Sequence, residues 1–283
     1  MFASLAVLFA ALLEPSEPAA LARACEGRDG WSDPAPPARL HGSTYYVGTC
    51  GISVILITGP AGHVLIDSGP AEAAPQIAAN IERLGFSIRD VRLILSSHEH
   101  SDHVGGIAAL QRLSGATVAA RGPAVPALAS GIAQAGDPQY GALAPFPASA
   151  VGRTLRDGEV VRLGPIRLTA HATPAHTPGG TSWGWRSCEA RACLTIVYAD
   201  SLSPVSAEGY RFSDHPDRVA AFRRGIATIG SLRCDLLLTP HPGASDQFRR
   251  MADGRLTDPA GCRAYAARGG AQLDARLRRE SGR

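Results

Sequence analysis

The chain has 283 residues, is 45% hydrophobic and 19% charged, and carries a formal net charge of +3. That is an ordinary globular composition, long enough for one α/β domain with a sizeable core and requiring no second domain. There is no lysine, and the arginines are spread without a basic block, so a nucleic-acid or membrane-surface role gets no support.

Met1 to Leu13 is almost wholly apolar but too short to cross a bilayer, which takes about 20 apolar residues. The small residues Ala20, Ala22 and Ala24 follow. Residues 1–24 are therefore predicted to be an export signal cleaved near Ala22 or Ala24, although no Lys or Arg precedes the apolar run. Residues 25–283 are then a single periplasmic or secreted domain, with no membrane attachment once the signal is gone. The six cysteines are an even number in an exported chain, which favours disulfides over thiolate metal sites. No pair forms a CxxC, and spacing alone pairs only Cys188 with Cys193.

Residues 28–39 read as an irregular arm. Strands are predicted at 44–47, 52–58 and 63–66, with Gly59-Pro60-Ala61-Gly62 as the turn between the last two. Residues 71–84 carry Ile77, Ile81 and Leu84 at helical spacing, and Gly85 is a stop signal. Val91–Leu95 is a largely buried strand. A helix follows from near His103 to Leu113, then a strand at 116–119. Residues 124–158 are rich in Gly and Pro and lack regular pattern, which suits a functional or mobile loop. Strands are predicted at 160–163, 166–171, 181–185, 194–199 and 235–238, and helices at 215–229, 245–252 and 262–279. This alternation supports a layered α/β domain.

After the strand ending at Leu95 comes Ser96-Ser97-His98-Glu99-His100-Ser101-Asp102-His103-Val104-Gly105-Gly106. In extended backbone, residues i and i+2 point the same way, so His98 and His100 can ligate one metal ion together. The turn into a helix redirects Asp102 and His103 toward a second ion. Imidazole and carboxylate suit zinc, and catalytic zinc sites leave one position for water. A lone His-x-His is more often a solvated loop; the full spacing directly after a buried strand points to metal. These groups cannot complete two sites. His176 and His241, each on a loop after a strand, are the remaining candidates. His41, His63 and His215 read as surface or turn residues, and His171 as an ordered structural histidine.

The segments HEHSDH, HTPGGTSW, Ala199-Asp200-Ser201-Leu202-Ser203 and TPHPGAS together resemble the metallo-β-lactamase superfamily. More narrowly, they resemble the third subclass of class B β-lactamases, from about Trp31 to the C-terminal helix. The resemblance implies an αββα sandwich of two mixed sheets with helices on the outer faces. It implies two zinc ions per chain, one held by His98, His100 and His176, the other by Asp102, His103 and His241. The resemblance also implies that Asp102 is the catalytic residue that orients the nucleophile. In the first two subclasses a cysteine ligand matches the position of Ser201, and the first subclass holds the substrate carboxylate with a lysine. A serine at 201 and the lack of lysine both favour the third, in which Ser201 and Ser203 would bind that carboxylate. Asp67 would support the metal loop from beneath, giving a ligating histidine a partner for its other nitrogen.

The resemblance also implies the pairs Cys25–Cys50, Cys188–Cys193 and Cys234–Cys262, and a substrate cleft lined by Trp31, Gln139 and Tyr140. The implied activity is zinc-dependent hydrolysis of the amide bond of penicillins, cephalosporins and carbapenems by a metal-bound hydroxide, giving antibiotic resistance. The partner is thus a small-molecule β-lactam, and the chain is expected to be a monomer. The alternative is a lactonase or thioesterase of the same fold.

Overall fold

The computed structural model describes residues 17–282. Short runs of apolar and β-branched residues pair into two sheets. The first takes β1 (Ala38–His41), β2 (Thr44–Tyr46), β3 (Ile55–Ile57), β4 (His63–Ile66), β5 (Val91–Leu95), β6 (Thr117–Arg121) and β7 (Val151–Leu155), in chain order. Its strands pair antiparallel up to β4 and parallel from β4 to β7. The second takes β8 (Val160–Leu163), β9 (Ile166–Ala172), β10 (Thr181–Glu189), β11 (Ala192–Tyr198) and β12 (Leu236–Leu238). Only its β11–β12 pair is parallel. The helices are α1 (Pro18–Ala24), α2 (Ala74–Arg83), α3 (Ser101–Val104), α4 (Ile107–Ser114), α5 (Val125–Ser130), α6 (Pro216–Ser231), α7 (Gln247–Ala252) and α8 (Gly261–Glu280).

Because strand side chains alternate between faces, each sheet feeds two cores. Ile55, Ile57, Val64 and Ile66 point between the sheets, where they meet Leu168, Trp183, Trp185, Ile196 and Tyr198. Leu56 and Leu65 point the other way, onto Ile77, Ile81, Ile107 and Leu110 of α2 and α4. On the far side Val197 and Leu237 meet Phe222, Ile229, Tyr265 and Leu273 of α6 and α8. The result is an αββα sandwich of two mixed sheets with helices outside, the architecture implied by the motifs.

Several elements differ from the sequence reading. The helix expected from His103 to Leu113 is split into α3 and α4 at Gly105-Gly106. The Ser68 carbonyl lies there, and a Cβ on Gly106 would come within 2.5 Å of it. The segment 124–158 contains α5 and β7, the latter an edge strand whose burial alternates although Gly152 and Arg153 leave it without a run of apolar residues. β1 lies partly within the arm read as irregular. His63, read as a surface or turn residue, is buried in β4 with its ring against Phe86. All three disulfides form: Cys25–Cys50, Cys188–Cys193 and Cys234–Cys262.

Residues 1–16, which hold the apolar run of the expected export signal, lie outside the described residues. The rest of that segment includes α1, which packs against α7 with Leu21 fully buried in the central core. Removing α1 would strip Leu21 from its site, at a cost of about 1.5–3 kcal/mol in buried apolar surface alone. If the chain is exported and its leader cleaved, intact-mass measurement should place the mature N-terminus before Pro18 instead of near Ala22 or Ala24. A start at Cys25 would show that the fold dispenses with α1.

Candidate metal centre

The C-terminal ends of β4, β5, β9, β11 and β12 open on one edge of the sandwich. The following loops carry Asp67, His98 to His103, His176, Asp200 to Ser203, and His241 respectively. One ligand atom each from His98, His100 and His176 lie within 4.8 Å of one another, and so do those of His98, Asp102 and His103. His241 joins the second group, its Nε2 being 3.3 Å from Asp102 Oδ2 and 3.2 Å from His103 Nε2. All six residues expected to hold metal are therefore brought together.

Hydrogen bonds decide which nitrogen of each imidazole faces inward. His98 Nδ1 is 2.8 Å from Asp200 Oδ1, and His100 Nε2 is 2.8 Å from Asp137 Oδ2. His176 Nδ1 donates to the Ser203 carbonyl at 2.8 Å. That leaves His98 Nε2, His100 Nδ1 and His176 Nε2 as the converging lone pairs, and His98 Nε2 is buried with no hydrogen-bond partner. Burial, reinforced by the neighbouring imidazoles, holds the pKa of His98 well below its usual value and that of His176 down to about 3. Both rings are thus neutral donors at physiological pH.

In the second group burial would depress His103, but the Asp102 and Asp67 carboxylates override it and raise its pKa to about 10. Asp102 Oδ2 is 3.0 Å from His103 Nε2, completing a triangle with His241. A tetrahedral ion bound at about 2.0–2.2 Å needs ligand atoms about 3.3–3.6 Å apart. The triangle's sides, 3.0–3.3 Å, are close to that size. The two donor sets, three nitrogens in the first and two nitrogens with one carboxylate in the second, fit a borderline metal such as zinc.

Asp67 lies beneath these loops. It accepts from Ser97 N and Oγ, each at 2.6 Å, and from the Tyr198 hydroxyl at 2.7 Å, while His103 Nδ1 is 3.5 Å away. Its φ of 63° is in the left-handed region, which asparagine and aspartate tolerate better than most residues. Ser201 is buried and, with Ser203, lines a cavity of about 160 Å³ shared with His241, Arg268 and Gln272. Ser203 also touches the first group, its Oγ being 3.1 Å from His176 Nδ1. Trp31 is half exposed with its ring 6.2 Å from that of His241, and Gln139 Nε2 is 3.2 Å from His176 Nε2. His171 is on the outer face of the second sheet and touches none of these imidazoles.

Sequence reasoning missed three carboxylates. Asp200 and Asp137 back the ligating histidines. Glu99, a spacer in the motif, is buried and accepts from Thr177 Oγ1 and Gly179 N, both at 2.8 Å, tying the His176 loop to the His98 loop. Burial raises its pKa. Gly180 sits in the same junction, where a Cβ would come within 2.5 Å of Asp200 Oδ2. Glu99 is flanked by His98 and His100, and Asp200 is on the loop just after β11; those positions were the available signals. For Asp137, 37 residues from its partner, there was none.

A four-layer sandwich with imidazoles and carboxylates gathered on its strand-end loops is the scaffold of a metal-dependent hydrolase. The chain belongs to the metallo-β-lactamase superfamily, whose family profile matches residues 14–189. It is similar to the metallo-β-lactamase MIM-1 of Novosphingobium pentaromativorans, with 52% identity and a TM-score of 0.91 over 93% of this chain and 98% of that one. It is also similar to MEM-A1, a subclass B3 metallo-β-lactamase from a soil metagenome library. That match has 47% identity and a TM-score of 0.86, over 89% of this chain and 99% of the other. A hydroxyacylglutathione hydrolase of Anaeromyxobacter dehalogenans (strain 2CP-C) is 28% identical over 203 residues, 71% of this chain. The match spans 64% of that relative's length.

Proposed function

We propose that this protein is a zinc-dependent β-lactamase of the B3 kind, holding two zinc ions and acting outside the cytoplasm on penicillins, cephalosporins and carbapenems. The observation that carries the reading is the donor set: five histidines and Asp102 converge, and every cysteine is in a disulfide, leaving no thiolate for the site. A serine, Ser201, stands on the loop where the other subclasses place a cysteine ligand. The three disulfides support an exported location, and antibiotic resistance would be the consequence for the host.

Zinc bound here would lower the pKa of water in the site to about 7 and polarise the lactam carbonyl. The chain's own residues supply the rest. Asp102 accepts a hydrogen bond from the attacking water and so aims it. Asp200, Asp137 and the Ser203 carbonyl fix the tautomer and tilt of the ligating rings. Ser201 and Ser203 offer hydroxyl donors to the substrate carboxylate. A hydrogen bond to a charged group is worth about 1.5–3 kcal/mol. Ser201→Ala is accordingly expected to raise KM for a penicillin about tenfold with little change in kcat; an unchanged KM would remove Ser201 from carboxylate binding.

The direct test is hydrolysis of a carbapenem and a penicillin by purified protein, with and without a chelator. Turnover of either that the chelator abolishes supports the proposal. No turnover by protein fully loaded with zinc overturns it. Thioester hydrolysis is the second reading, favoured by the similarity to a hydroxyacylglutathione hydrolase; assay of an acylglutathione thioester alongside the antibiotics separates the two.

A further inference from the structure

A second cavity lies on the outer face of the five-stranded sheet, away from the metal-site loops. It has a volume of about 360 Å³, within the roughly 300–1,000 Å³ usual for small-molecule sites. Alternation along the strands decides its lining. Leu168, Ala170, Trp183 and Ile196 point into the central core, so Arg167, Thr169, His171, Arg186 and Thr195 point out. Helix α6 covers Val197 on this face but ends at Ser231, and Leu232 and Arg233 form the cavity rim where it stops. Gly184 keeps the floor open, since a Cβ there would come within 3.2 Å of His171 Nε2.

Basic side chains outnumber acids around the cavity, where the acids are Asp157, near His171, and Asp235, which accepts from Thr195 N. Arg162 is opposite Arg167 across β8 and β9, and Leu168 opposite Trp185 sets Arg167 next to Arg186 across β9 and β10. Like charges directly opposite in a sheet are destabilising. None of these three guanidinium groups has a carboxylate within 4.0 Å among the described residues. Arg233 reaches Asp235 only at 4.0 Å. Some surface arginines, such as Arg39, Arg153, Arg223 and Arg255, pair with carboxylates at 2.7–3.0 Å, whereas others, such as Arg89 and Arg112, do not among the described residues. Arg167 and Arg186 line the cavity together with Leu232 and Pro165, a combination that suits a ligand with an anionic head and an apolar body.

We infer that this groove is a second binding site, for a small organic anion whose carboxylate or sulfonate is held by Arg167 and Arg186 and whose apolar body lies against Leu232 and Pro165. The site is independent of the metal centre and of the reaction assigned to it.

The test is titration of the full, metal-loaded protein with 8-anilinonaphthalene-1-sulfonate, followed by fluorescence. Wild-type protein is expected to bind one equivalent. Arg167→Glu and Arg186→Glu should each weaken that binding by about tenfold or more, with β-lactam turnover unchanged and melting temperature no lower, since either reversal relieves the like-charge pairing. Arg268→Glu, a charge reversal beside the metal centre, should leave it intact. Binding that survives both groove reversals, binding lost in Arg268→Glu, or no binding below about 1 mM would each overturn the proposal.

Discussion

Replacing His176 with alanine is expected to lower metal content and β-lactam turnover together, each by more than about 100-fold. Loss of a residue that merely backs a metal ligand costs about 10–100-fold in affinity or activity, and His176 is one of the converging donors themselves. Its ring is fixed by the Ser203 carbonyl and, through Glu99, its loop is tied to the His98 loop. No neighbouring donor can swing in to replace it: Gln139 is close, but its amide is a weak ligand for zinc. His241→Ala should behave the same way for the second group, leaving Asp102 and His103 as an incomplete pair. Asp200→Asn is the graded control. Its side-chain oxygen still accepts from His98 Nδ1 but carries no charge, so a loss of only about tenfold is expected. Metal analysis of the purified variants and steady-state kinetics read out both quantities. Full metal content with wild-type turnover in His176→Ala would take that residue out of the centre.

The metal cluster was legible because its geometry is local. His98 and His100 are two apart on extended backbone, and the turn into α3 brings Asp102 and His103 round to the second group. His176 and His241 were legible for another reason: His176 is on the loop after β9 and His241 directly follows the apolar β12, and strands of one sheet that run the same way end on one edge. What stayed hidden was long-range or conformational. Asp137 reaches His100 from a segment with no periodic signal, placed by α5 and the turn after it. The break between α3 and α4 depends on how closely the Ser68 backbone presses on Gly106, which no pattern within the helix reports. The arginine row on the second sheet was equally invisible, since Arg162, Arg167 and Arg186 are far apart in sequence and meet only through strand register.

Trp183→Ala is expected to give the largest loss of stability among single core substitutions, about 3–5 kcal/mol. The side chain is fully buried between the two sheets, and its indole N–H donates to the Ser96 carbonyl at 3.0 Å. Truncation therefore opens a cavity and removes a hydrogen bond in one step. For a domain of this size about 2–4 °C of melting temperature follows each kcal/mol, so a drop on the order of 10 °C should be seen by calorimetry. Ser96 is two residues before His98, which couples this core position to the metal centre. Trp183→Phe separates the two contributions, because it fills most of the space yet leaves the Ser96 carbonyl without its donor, a loss of about 1–3 kcal/mol. If the indole N–H positions the metal loop, Trp183→Phe should weaken metal binding more than its modest loss of stability suggests. Metal affinity equal to wild type in Trp183→Phe would confine Trp183 to packing.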